Sequence, residues 1–181
     1  MKLISTIATT AMIVALFTGC ASNQLPAETI SSMQAVKDEL EIRALAEKFS
    51  DAANRKDGDL FQSLWAKEAV WKIGPPINVE FKGKENMGAS VTRMLGLWDF
   101  FVQLSGPAVV NIKGDTATAR FYVNEIARKA DDKSGNYNLS MYEDELIKEN
   151  GKWVFLKRTY HTIYQEAPQY KGLIQQLPTT K

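Results

Sequence analysis

The chain has 181 residues, with 22 Lys and Arg against 21 Asp and Glu and a formal charge of +1. A nucleic-acid-binding protein carries a basic excess, and none is present, so no nucleic-acid partner is expected. The length suits one main domain. A single Cys and a single His exclude an intramolecular disulfide and a cysteine- or histidine-rich metal centre, so no metal and no cofactor is expected.

The first nineteen residues read as an address, not as fold. Lys2 gives a positive start, and an apolar run follows from Ile7 through Phe17. That run is shorter than the about 20 apolar residues a membrane span needs, and a charged start, a short apolar core and a small-residue exit describe a secretory signal. The exit, Leu16-Phe17-Thr18-Gly19-Cys20, resembles a bacterial lipoprotein signal, in which the Cys is acylated and becomes the new N-terminus. Lipidation is therefore expected on Cys20. Ala21 in the next position is similar to the outer-membrane sorting residue of Gram-negative lipoproteins, which implies a lipid-anchored protein of the cell envelope. Stable anchoring takes more than one acyl chain, which the lipoprotein modification supplies. Loss of Lys2 with the signal leaves 21 basic residues (22 − 1) against 21 acidic ones.

Residues 20–33 read as a tether, and a first helix is expected from about Ser31, where Ser31 and Gln34 have capping-box spacing. Val36, Leu40, Leu45, Phe49 and Ala53 fall near helical spacing as one apolar stripe. After Asn54-Arg55-Lys56-Asp57-Gly58 a short second helix carries Leu60, Leu64 and Trp65 inward. Val70 to Ile73 and Asn78 to Phe81 read as short strands around the turn Gly74-Pro75-Pro76. A third helix runs from Gly83 to about Leu95.

From Phe100 onward the pattern is long strands and tight turns. Phe100 to Lys113 is interrupted by Ser105-Gly106-Pro107, which predicts a bulge that reverses the inward face. Thr116 to Arg128 places Ala117, Ala119, Phe121, Val123, Glu125 and Ala127 on one face. Tyr137 to Glu149 and Lys152 to Gln165 are joined by Asn150-Gly151, a strong hairpin signal. Residues 34–166 are thus expected to form one domain, with 167–181 a loose tail. Helices followed by strands give an α+β domain, and a curved sheet around helices leaves room for a pocket.

Several stretches together resemble the SnoaL-like branch of the nuclear transport factor 2-like superfamily. They are Ala53 to Asp59 with Leu64-Trp65 and Val70-Trp71; Phe81 to Glu85; Ile112 to Ala117; Tyr142 to Leu146; and Asn150 to Trp153 with Arg158. The resemblance spans roughly residues 35 to 165 and implies a cone: a curved antiparallel or mixed sheet wrapped around three N-terminal helices, with an internal pocket and often a dimer through the sheet. The family includes dehydratases, cyclases, isomerases and binding domains, so fold alone does not set function. In the dehydratase-like members an Asp on the first helix orients a His on the first long strand. Asn54 and Gln103 stand at those positions here, and neither side chain can shuttle a proton.

The remaining candidates come from the residues themselves. Glu125 lies on an apolar strand face, where an unpaired carboxylate is costly and often marks a site; it could equally pair with Arg158. Tyr142 and Asp144 share a face of the next strand, and Asp144 with Arg158 is an alternative ion pair. His161, the chain's only histidine, is a candidate base by residue type. The pocket is expected to be lined by Asn54, Trp71, Gln103, Glu125, Tyr142, Asp144 and Arg158, with Glu125, Asp144 and His161 as catalytic candidates. Trp65, Trp71, Trp98, Phe100 and Phe101 suit an apolar ligand or a packed core. Tyr160, Tyr164 and Tyr170 are expected on an exposed sheet face that serves a dimer. The expected function is binding of a small apolar or amphipathic molecule at the envelope, with an enzyme of non-standard acid–base residues and a partner-binding module as rivals.

Overall fold

The computed structural model describes residues 25–175. Cys20 and the whole signal segment lie outside the described residues. Three helices precede the long strands: α1 (Ala27–Asn54), α2 (Gly58–Ser63) and, after β1 (Trp65–Ile73) and β2 (Val79–Lys82), α3 (Lys84–Leu95). Four long strands follow: β3 (Trp98–Lys113), β4 (Thr116–Lys129), β5 (Gly135–Glu149) and β6 (Lys152–Glu166). They form one open sheet in the order β2-β1-β6-β5-β4-β3, in which β1 and β6 run parallel and every other pair is antiparallel. This is the α+β arrangement expected, a mixed sheet curved around the helices.

Helix α1 starts at Ala27, ahead of the predicted Ser31, and its N-cap, Pro26, offers no side-chain cap. The predicted stripe splits in two. Leu45, Phe49 and Ala53 are buried, whereas Val36 and Leu40 are 60% and 61% exposed. The buried side packs on β3 and β6, and Val36 and Leu40 lie on the opposite, solvent side of the helix, since Asp38 and Ile42 beside them are buried. Asp38 pins the helix near the join: its carboxylate accepts from Lys148 Nζ at 2.8 Å and from the Trp153 indole at 3.0 Å, which ties α1 to the β5–β6 hairpin.

Helix α2 is short and capped by Asp57, whose carboxylate accepts from the Leu60 amide at 2.9 Å. Trp65 opens β1 instead of closing this helix and is fully buried. Helices α2 and α3 meet at two glycines. A Cβ on Gly88 would lie 2.6 Å from the Gly58 carbonyl oxygen, so only glycine permits this approach. The contact seats α3 so that Val91, Met94 and Leu95 face the sheet.

The predicted bulge is present. The β3–β4 register shifts between Ser105 and Ala108, so Gln103 is inward before it and Ala108, Val110 and Ile112 are inward after it. On β4 the whole predicted face from Ala117 to Ala127 is buried, Glu125 included. Phe49 sits at the centre of the core, with the rings of Phe61, Tyr142, Phe155, Trp65 and Trp71 at 4.7 to 6.0 Å between centroids. Packed aromatic groups of this kind contribute beyond the area they bury.

Candidate functional site

Toward the far end of the sheet the core stops short of filling the space. A cavity of about 610 Å³ lies between the inner sheet face and helices α1 and α3. Its walls are apolar: Phe49 and Ala53 from α1, Phe61 from α2, Trp71 and Ile73 from β1, Val91, Met94 and Leu95 from α3, and Trp98 and Phe101 from β3. Ile77, Lys129, Asn136, Gln165 and Glu166 contribute at the exposed turns and strand ends. A site that is mostly apolar with a few convergent polar groups is the ordinary form of a small-molecule pocket.

The polar groups gather in one place, around Glu125. Gln103 Nε2 donates to Glu125 Oε1 at 2.6 Å. Asn138 Nδ2 and the Tyr160 hydroxyl both donate to Oε2, at 3.0 and 2.5 Å. Behind them the Ser140 hydroxyl donates to Tyr160 at 2.7 Å, and the Ser50 hydroxyl donates to Gln103 Oε1 at 2.9 Å. An ionised carboxylate only accepts, so Glu125 fixes both amides: each must turn its NH₂ inward and its oxygen away. Four strands build this cluster: Gln103, Glu125 and Asn138 are register neighbours on β3, β4 and β5, and Tyr160 reaches Glu125 from β6. Burial raises the Tyr160 hydroxyl above its ordinary range, and the nearby Glu125 charge adds to that. Burial does the same to Tyr142, which lies beside Gln103 on the cavity wall. Both phenols therefore stay protonated.

The sequence matches the family described as the SnoaL-like domain over residues 34–159. The chain belongs to this family. No functionally curated protein matches it. Among solved structures, a nuclear transport factor 2-like protein with a cystatin-like fold from Novosphingobium aromaticivorans superposes with a TM-score of 0.66 at 20% identity, over 78% of this chain and 92% of that one. A candidate scytalone dehydratase from Novosphingobium aromaticivorans DSM 12444 gives 0.65 at 14%, over 84% and 98%. A hexachlorocyclohexane dehydrochlorinase, LinA-type3, from Novosphingobium barchaimii LL02 gives 0.64 at 16%, over 83% and 98%. At these identities the likeness establishes the fold.

Within this SnoaL-like domain, Trp71, Gln103, Glu125 and Tyr142 lie on the cavity wall. Asn54, Asp144 and Arg158 do not. Asn54 spends its amide on the Gln103 backbone, accepting from the amide nitrogen at 2.7 Å and donating to the carbonyl at 2.9 Å, so it fastens α1 to β3. The residue that touches the Gln103 side chain from α1 is Ser50. Asp144 and Arg158 are directly paired across β5 and β6, with Arg158 Nε 3.3 Å from Asp144 Oδ1, and both are buried in the core. The guanidinium lies 3.9 Å from the Tyr142 ring centroid, 4.2 Å from Phe49 and 4.3 Å from Phe155. Of the two ion pairs weighed for Arg158, the one with Asp144 is formed. His161 lies away from the cavity, opposite Met141 on the outer face, where its Nε2 is 3.2 Å from the exposed Glu143.

Tyr160 reverses its expectation. It is buried and bonded to Glu125, whereas Tyr164 is half exposed and Tyr170 stacks near Phe100 at 6.1 Å. Trp98 and Phe101 join the cavity, while Trp65 is core. Asn138, Ser140, Ser50 and Tyr160 were not singled out for the site. Their signal was present in part, as polar residues on otherwise inward strand positions, but strand register was needed to bring them to Glu125. Among the described residues no cluster of His, Cys, Asp or Glu is placed to hold a metal ion, and no helix is long and apolar enough to cross a membrane.

Proposed function

We propose that this chain is a lipid-anchored envelope protein whose SnoaL-like domain binds a small, largely apolar molecule with one polar end. The observation that carries the reading is the cavity itself: about 610 Å³, aromatic and aliphatic on its walls, with its buried polar groups collected around Glu125. A core serving stability alone gains from filling such a space, since voids lose packing contacts. Native mass spectrometry of the chain purified gently from envelope membranes tests the reading. A reproducible added mass that disappears on denaturation is the expected result, and a chain that is always free of ligand and takes up no apolar probe overturns it. Anchoring is tested separately. Cys20→Ser is expected to abolish incorporation of labelled fatty acid, and unchanged labelling would overturn the lipidation site.

A second reading has its own observation. An enzyme of the dehydratase or isomerase type needs a carboxylate and a proton donor within hydrogen-bond reach inside the pocket, and Glu125 and Tyr160 meet that condition at 2.5 Å. Neither Asp144 nor His161 does. In this reading Glu125 takes a proton from the bound molecule. Glu125→Gln then abolishes turnover while the apolar walls still hold the ligand; equal turnover by the variant would end this role.

The outer sheet face supplies a proposed contact for a second copy. Leu104, Tyr122, Leu139 and Tyr164 are exposed there, and Leu139 pairs directly with Tyr164. Sedimentation of Leu104→Lys is expected to show a smaller species than wild type, and identical sedimentation would dismiss this face.

A further inference from the structure

The polar groups around Glu125 are largely spent on one another. Each donor that has been placed points at Glu125 or is spent behind it: Gln103 Nε2, Asn138 Nδ2 and the Tyr160 hydroxyl on the carboxylate, the Ser140 hydroxyl on Tyr160. Around Glu125 one acceptor is left over, while Trp71 Nε1 is a buried donor without a partner on the same cavity wall. Asn138 is buried, lines the cavity, and its Oδ1 has no partner. The amide cannot be turned to remedy this, because its oxygen would then face the Glu125 carboxylate, acceptor against acceptor. A buried acceptor left unmade costs free energy comparable to a lost hydrogen bond. Charge points the same way. Glu125 carries a carboxylate at this end of the cavity, and the partners it is bonded to are neutral; Arg158, the buried cation nearby, is matched to Asp144.

From this we infer that the bound molecule enters with a hydrogen-bond donor leading, a hydroxyl or an amine attached to an apolar ring system, and that this donor reaches Asn138 Oδ1 at the Glu125 end. The inference rests on the reading of the cavity as a ligand site and names the ligand class that site selects. An unsubstituted hydrocarbon leaves Asn138 Oδ1 unmet. A carboxylic acid of the same size brings a second negative charge to a carboxylate in a low-dielectric space, where like charges repel strongly.

Three probes of equal ring size separate these cases: naphthalene, 2-naphthol and 2-naphthoate. Their dissociation constants are measured on the full chain by equilibrium dialysis, corrected for partition into detergent with a protein-free blank. The expected order is 2-naphthol tightest, by about ten-fold or more over naphthalene, as a hydrogen bond to a buried or charged acceptor implies, with 2-naphthoate weakest. In Asn138→Leu the advantage of 2-naphthol over naphthalene is expected to shrink several-fold while naphthalene binds as in wild type. Should that variant fail to fold, the wild-type order of the three probes decides alone. Equal binding of naphthalene and 2-naphthol, or tightest binding of 2-naphthoate, overturns the inference and leaves the cavity reading standing. Failure of all three to bind overturns both.

Discussion

Glu125 and Asp144 are two buried carboxylates on the inward faces of adjacent strands, and they live in opposite surroundings. Glu125 faces the cavity and is held by three neutral donors. Asp144 faces the packed core and is matched by one cation, Arg158, which is itself enclosed by the rings of Phe49, Tyr142 and Phe155. In sequence the two look alike, each a carboxylate on a strand of alternating character. The difference teaches that an acidic residue on an apolar face identifies a cost, and that its neighbours decide whether the cost belongs to a site or to a structural pair. Neutral donors leave the charge at Glu125 available to a ligand. At Asp144 a buried guanidinium stands 3.3 Å away as the counter-charge.

Breaking the structural pair is expected to give the largest effect. Asp144→Leu or Arg158→Met alone strands a buried charge, which typically costs about 3–5 kcal/mol. The double variant Asp144→Leu/Arg158→Met removes both charges and is expected to recover most of that loss, read from urea midpoints. Two independent, additive losses would show that the pair is not the unit described here. Stability should also depend on pH through Asp144. Burial pushes this carboxyl up to about 7 from its ordinary 3.8, against the pull of Arg158. The native state thus holds the proton more tightly than the unfolded chain does. The associated stability is complete below about pH 4 and is lost as pH rises through about 7. Asp38 works in the opposite sense but below that window, because its carboxyl is held under its usual value; burial opposes this and the bonds from Lys148 and Trp153 outweigh it. The fall between about pH 4 and 7 should vanish in the double variant.

At the other carboxylate the effect on stability should be smaller and the effect on ligand larger. Glu125→Gln puts an amide NH₂ among three groups that already donate, so at least one donor loses its acceptor. The expected cost is about 1–3 kcal/mol, with the preference for donor-bearing probes reduced and any turnover gone. A stability loss as large as that of Asp144→Leu would erase the distinction between the two sites. Ser140→Ala is milder still. It removes one neutral hydrogen bond to Tyr160 and is expected to cost about 0.5–1.5 kcal/mol, leaving Tyr160 to donate to Glu125.

How far the sequence reveals this comparison depends on which interactions are local. The face from Ala117 to Ala127 was legible because strand alternation is a local rule, and it put Glu125 on the face that the fold buries. The Gly106 bulge was legible from Ser105-Gly106-Pro107, since a Gly-Pro step inside a strand disturbs the ladder. The rest of the Glu125 cluster is set by pairing between strands. The β5–β6 register shifts between Leu139 and Ser140, so Tyr160 turns inward while Tyr164 stays outward, although their spacing in the sequence would put both on one face. Asn54 was misplaced for a different reason. Position on a helix predicts which side a residue takes, but not that its amide will bond a strand backbone instead of a ligand. Val36 and Leu40 are near helical spacing with Leu45 and Phe49, yet the buried face runs through Asp38, Ile42, Leu45 and Phe49, so both turn to solvent.

His161 closes the comparison from the opposite direction, with the smallest expected effect. As the chain's one histidine it is the residue that chemistry alone would choose for proton transfer. The fold puts it on the outer sheet face with its side chain 43% exposed, beside a Glu143 that is 59% exposed. Exposed ion pairs contribute little, because water screens them and the side chains lose freedom in forming them. His161→Gln is therefore expected to change stability by less than about 0.5 kcal/mol, and to leave probe affinities and any turnover as in wild type. Urea denaturation and the 2-naphthol dissociation constant measure both. A loss of binding or turnover comparable to that of Glu125→Gln would mean that the outer face, and not the cavity around Glu125, carries the chemistry.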